Sequence, residues 1–194
     1  MTYFFRLTIC FLFFGCLWSG CGEKKDKMPQ EKFFPVLSFL KSQVKDIDTS
    51  LYAIRKLIPL DSLHTDTVYI SREKFREEAR DFLSIPDLTL PEYANRYKEE
   101  KQMDETLGRV MLIYTPINPE KEIIQRQAVW IKQDPSEDKI TNIIINSVVN
   151  SKDSLVEKEM LWKVGESFLV RATRQLPGQP ETNSTVKVVW NESE

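Results

Sequence analysis

Two hydrophobic periods divide the chain. Up to about residue 102 apolar residues recur mostly at helical spacing, and from Gly108 onward they alternate with polar ones at the spacing of a β-strand. Phe33, Leu37, Leu40, Val44 and Ile47 stand alternately four and three residues apart, on one face of a helix, and Pro35 falls in the first turn, where its missing N–H costs little. The stripe is too short for a coiled coil and predicts packing on a core. Residues 51–60 and 67–70 read as strands around the polar turn 61–66, although the first of them also fits a helix. Ser71 predicts an N-cap, followed by Phe75, Ala79, Phe82 and Leu83 at helix spacing until Pro86 ends the run. A third helix is expected over residues 91–102, with Pro91 as its first residue.

The alternating half predicts about six strands, at 109–115, 122–132, 139–149, 155–164, 168–175 and 185–191, separated by short segments rich in Pro, Gly, Asn and Asp. Short connections between successive strands imply an antiparallel meander. In the last three strands one phase is apolar (Val156, Met160, Trp162, Phe168, Val170, Val186, Val188) and the other carries Glu157, Glu159, Lys163, Arg171 and Lys187. That alternation predicts one buried and one wet face. The first three strands are apolar on both phases, with Met111 and Ile113 against Val110 and Leu112, Val129 and Ile131 against Ala128 and Trp130, and Ile143 and Ile145 against Ile144 and Val148. Both sides of the sheet need cover there: helices on one, and the early strands or an apolar ligand on the other. The expected fold class is α+β, N-terminal helices packed on an antiparallel meander of about six strands; a half-barrel like that of lipoprotein carriers is the architectural alternative.

The start of the chain changes the picture. Arg6 precedes an apolar run from Leu7 to Trp18 that ends in Ser19, Gly20 and Cys21, the layout of a secretory signal. The run is shorter than the ~20 apolar residues that span a bilayer. With Cys21 after two small residues, it resembles a bacterial lipoprotein signal. That resemblance implies cleavage before Cys21 and a diacylglycerol on its thiol. Trp18 stands where such signals carry an aliphatic residue, Leu17 sits one place early, and Gly15-Cys16 is a second, poorer junction behind Phe13 and Phe14. An uncleaved anchor and an ordinary secretory signal are the alternatives.

The expected organisation is a signal peptide at 1–20, a lipidated and charged flexible tether at 21–30, and a single α+β domain at 31–194. All three cysteines, Cys10, Cys16 and Cys21, fall at or before the junction, which removes disulfides and thiol chemistry from the domain. The implied partner at Cys21 is the membrane, because two or more acyl chains anchor durably.

Charge and motifs narrow function by exclusion. The chain holds 27 Lys and Arg against 29 Asp and Glu, with no basic stripe for nucleic acid. Its single histidine, His64, sits among Asp61, Ser62 and Asp66 in a turn, where polar residues need no further explanation. Glu157 and Glu159 share a wet strand phase, and the acidic segment 134–138 lacks the glycine and distal glutamate of a calcium loop. No phosphate-binding glycine loop, nucleophile elbow or zinc helix is present. No catalytic residue, metal or cofactor is therefore expected.

Asp61-Ser62-Leu63, Asp66-Thr67-Val68 and Asp153-Ser154-Leu155 resemble the Asp-Ser/Thr-aliphatic acceptor at which Bacteroidota glycosylate exported proteins, which implies glycans on Ser62, Thr67 and Ser154. Asn183 and Asn191 match the N-glycosylation pattern, which a bacterial secretory route leaves unused. The signal, the segment from Leu161 to Phe168 and the ending from Val186 to Asn191 are similar to uncharacterised lipoproteins of Bacteroidota. In that phylum an acidic cluster after the lipid cysteine accompanies surface export. The mixed run Gly22-Glu23-Lys24-Lys25-Asp26-Lys27 implies instead a protein facing the periplasm, and the absence of Asp at residue 22 places it on the outer membrane. The leading expectation for function is a non-catalytic envelope lipoprotein that binds a protein partner or serves envelope assembly. A carrier with an acyl chain on its sheet is the second, and an enzyme of unrecognised type the third.

Overall fold

The structure, a computed structural model, describes residues 33–60 and 64–191. Helix α1 (Val36–Thr49) follows Pro35, which stands just before the helix rather than inside its first turn, and buries Val36, Leu40, Val44 and Ile47. An antiparallel hairpin, β1 (Arg55–Pro59) and β2 (Thr65–Tyr69), comes next. Ser71 then caps α2 (Arg72–Glu78), its hydroxyl accepting from the Lys74 N–H at 3.3 Å, and a short α3 (Arg80–Leu83) continues past Ala79. The remaining strands are β3 (Tyr97–Asp104), β4 (Arg109–Pro116), β5 (Ile124–Lys132), β6 (Lys139–Asn150), β7 (Leu155–Lys163), β8 (Ser167–Gln175) and β9 (Thr182–Val189).

All nine form one antiparallel sheet in the order β2-β1-β9-β8-β7-β6-β5-β4-β3. The α+β reading and the meander hold, with nine strands in place of about six and few, short helices among the described residues. Two corrections account for the difference. The expected helix at 91–102 is instead a set of turns leading into β3, whose residues after Tyr97 are mostly exposed. Lys98, Glu99, Glu100, Lys101 and Gln102 favour helices by propensity, yet charged side chains are also what keeps a sheet edge from pairing with other chains. The early hairpin covers no face: β1 pairs with β9 and lengthens the sheet, so β2 becomes its second edge.

The helices lie on the face carrying Tyr114, Ile145, Met160, Trp162, Phe168, Val170 and Val188. Phe75 of α2 meets Trp162 and Trp190, and Phe82 of α3 meets Trp162 and Phe168, with ring centroids 5.2–6.4 Å apart. Trp162 and Phe168, direct cross-strand partners, stack at 5.5 Å. Each aromatic pair adds about 0.5–1.5 kcal/mol beyond its buried area. Phe33, ahead of α1, packs edge-on against Tyr114, whose hydroxyl accepts from the Phe34 N–H at 3.1 Å. Ion pairs link the layers: Asp48 to Arg76 joins α1 to α2, and Lys56 to Glu78 joins the sheet to α2. Gly165, in the left-handed region at φ 76°, makes the tight β7–β8 turn that brings Trp162 opposite Phe168.

Candidate functional site

The register defines a second face. Ile113, Ala128, Ile144, Leu161 and Leu169 are consecutive cross-strand partners on the side opposite the helices, so they form an apolar row crossing β4 to β8. Met111 and Trp130 form a parallel pair beside Ile113 and Ala128. Ile113 and Ala128 are buried, whereas Ile144, Leu161, Leu169, Met111 and Trp130 stay partly exposed. The Arg109 guanidinium lies 6.0 Å from the Trp130 ring centre. On the other flank runs a polar row of Arg126, Asn146, Glu159, Arg171 and Thr185, in which Arg171 and Glu159 approach to 3.4 Å. The described helices all pack on the opposite face. The face thus has an apolar centre and a polar rim, with a tryptophan and an arginine beside it.

The helix-covered face is closed over its middle and opens at one end. Between the end of α3 with Ser84, Ile85 and Pro86 and the strands β5 to β7 lies a pocket of about 200 Å³. Its floor is Ile124 and Met160, 1 % and 2 % exposed, and its rim holds Ile123 and Val149, 53 % and 46 % exposed. Two ionisable groups line it, Lys158 of β7 and Asp81 of α3, joined at 2.7 Å. Ser147, the direct cross-strand partner of Lys158, adds a hydroxyl.

Close by in sequence, Glu122 is held by Arg96 through two hydrogen bonds of 2.7 and 2.6 Å and approached by the Tyr97 hydroxyl at 3.3 Å. Its side chain is 6 % exposed, against 44 % for Arg96. The pairing with Glu122 raises the Arg96 pKa above its usual value; burial, then the Glu122 charge, pushes the Tyr97 hydroxyl well above the usual tyrosine range. These hydrogen bonds tie the segment before β5 to the start of β3.

The structure separates the residues singled out in the sequence. Thr67 is exposed on β2, with its N–H donating to the Asp66 carboxylate at 2.8 Å. Ser154 is partly buried in a turn, where its N–H donates to the Ser151 hydroxyl at 3.0 Å and the two hydroxyls lie 3.2 Å apart. Cys21 and Ser62 lie outside the described residues. His64 is exposed in the β1–β2 turn, and no three His, Cys, Asp or Glu side chains converge to hold a metal among the described residues. Glu157 and Glu159 are exposed on the outer face. Asp134 accepts from both the N–H and the hydroxyl of Ser136, at 3.0 and 2.6 Å, bonds that hold its carboxyl below the usual aspartate value.

Sequence reading missed Lys158, Asp81, Leu161 and Leu169. The leucines left a signal, being apolar residues in a phase that also carries Glu157, Glu159, Lys163, Arg171 and Thr173. No helix of the described residues is long and apolar enough to cross a membrane. No protein-family model matches the chain, and neither a curated protein nor a solved structure matches it.

Proposed function

We propose that the chain is a non-catalytic envelope lipoprotein, anchored through Cys21 in the outer membrane on its periplasmic side, whose outer sheet face binds a protein partner. The observation that carries this reading is the row of Ile113, Ala128, Ile144, Leu161 and Leu169 with its polar flank, an apolar band that the helices leave uncovered. Ile144, Leu161 and Leu169 keep part of their apolar surface in water there, which a docked partner would cover. The segment from Cys21 to Phe33 reaches at most about 40 Å when extended, enough to hold the domain near the membrane while leaving the sheet accessible. Carriage of a whole acyl chain draws less support, because Phe75, Phe82, Trp162, Phe168 and Trp190 fill the middle of the helix-covered face.

A photo-reactive amino acid in place of Leu169 tests the partner reading in the native envelope. One discrete cross-linked species is expected from position 169 and none from Lys101 on the charged edge strand. The same absence from both positions would sink it. The anchor has its own test: Cys21→Ala should abolish fatty-acid labelling of the chain.

A further inference from the structure

We propose that the pocket beneath α3 is a binding site for a single short aliphatic chain with an anionic head, the head held by Lys158 and Ser147. This inference stands independently of the outer face and of the anchor.

The lining grades from buried to exposed along one direction. Ile124 and Met160 close the floor, Val156 and Ile85 form the walls, and Ile123 and Val149 lie about half exposed at the rim. An apolar cavity of about 150 Å³ holds a benzene molecule. The roughly 200 Å³ here therefore suits a chain of about six to eight carbons. The two exposed rim residues continue the apolar path outward, where a chain leaving the pocket would keep contact.

The polar groups choose the head. Lys158 and Ser147 are direct cross-strand partners on β7 and β6, so one side chain ending in an ammonium and one ending in a hydroxyl line the pocket. Both donate, and a carboxylate only accepts. The Lys158 ammonium is paired with Asp81, 37 % exposed on α3, and a ligand anion would compete with that partly solvated carboxylate for it. A cationic head would lie beside the Lys158 charge, which opposes it. A free carboxylic acid and an acyl tail with a phosphate head share the chemistry that fits.

Calorimetric titration of the full chain, held in amphipol, separates the cases with butanoate, hexanoate, octanoate, hexanol, hexylamine and dihexanoyl phosphatidylglycerol as probes. Affinity should rise about four-fold per methylene from butanoate to octanoate, the increment expected of methylenes entering an apolar site. Lys158→Met should weaken octanoate about ten-fold or more and leave hexanol unchanged. Val149→Trp, at an exposed rim position that tolerates substitution, should block all of the probes by filling the mouth. Tighter binding of dihexanoyl phosphatidylglycerol than of hexanoate assigns the site to a lipid tail, and the reverse to a free acid. Hexylamine binding as tightly as hexanoate, an affinity flat in chain length, or no saturable binding by the unsubstituted chain overturns the proposal.

Discussion

Met160 and Leu161 are neighbours in one strand, and they serve opposite ends. Met160 is 2 % exposed under the helices, in the cluster with Trp162 and Phe168. Leu161 points the other way, into a row of apolar side chains that no described helix covers. A sheet with one face dry and the other wet is ordinary for antiparallel strands. Here the outer face keeps a band of apolar side chains across five strands, between Trp130 with Arg109 on one side and charged residues on the other. Alternate residues of the same strands therefore divide between the helix-covered core and the outer face, where the proposed partner would dock.

Substitutions on the two faces should separate in size. The largest loss is expected from Trp162→Ala, about 3–5 kcal/mol, since Trp162 is fully buried and touches Phe75, Phe82, Phe168 and Trp190. Chemical denaturation measures it, and the size approaches the whole stability of a small domain. Arg96→Met should destabilise the fold by leaving the almost buried Glu122 side chain without its partner, as chemical denaturation would show. Glu122→Gln should cost less, because Arg96 retains access to water.

Burial raises the Tyr114 hydroxyl far above the usual tyrosine value. A group whose folded-state pKa is raised contributes fully below its unfolded value, about 10, and the contribution fades as pH climbs from there toward the folded value. Stability should therefore fall above pH ~10, and Tyr114→Phe should flatten that fall while losing about 1 kcal/mol at neutral pH with the Phe34 hydrogen bond. At the smallest end, Gln127 sits 1 % exposed with no partner for its side-chain oxygen among the described residues, so Gln127→Met should stabilise by up to about 1 kcal/mol.

What the sequence revealed followed the strength of each local signal. The alternation of Met160, Trp162 and Val164 with Glu159, Leu161 and Lys163 was enough to place β7 and its buried face, and Ser71 with Phe75 was enough to start α2. Strand β3 was illegible because an edge strand guarded by Lys98, Glu99, Glu100 and Lys101 has the composition of a solvated helix. The pocket was illegible for another reason. Asp81 and Lys158 lie 77 residues apart, and their pairing exists only once α3 packs on β7. Leu161 and Leu169 were visible but outvoted, because the charged residues around them set the reading of their phase.

The division between faces is tested most directly by denaturing two variants side by side, Met160→Glu and Leu161→Glu. Met160→Glu places an unpaired carboxylate in the core and should leave no cooperative unfolding transition. Leu161→Glu should keep a cooperative transition within about 1 kcal/mol of the unsubstituted chain, because its side chain already meets water. Equal collapse of both variants would mean that the outer row is packed within the chain itself, and would contradict its assignment as a free surface for a partner.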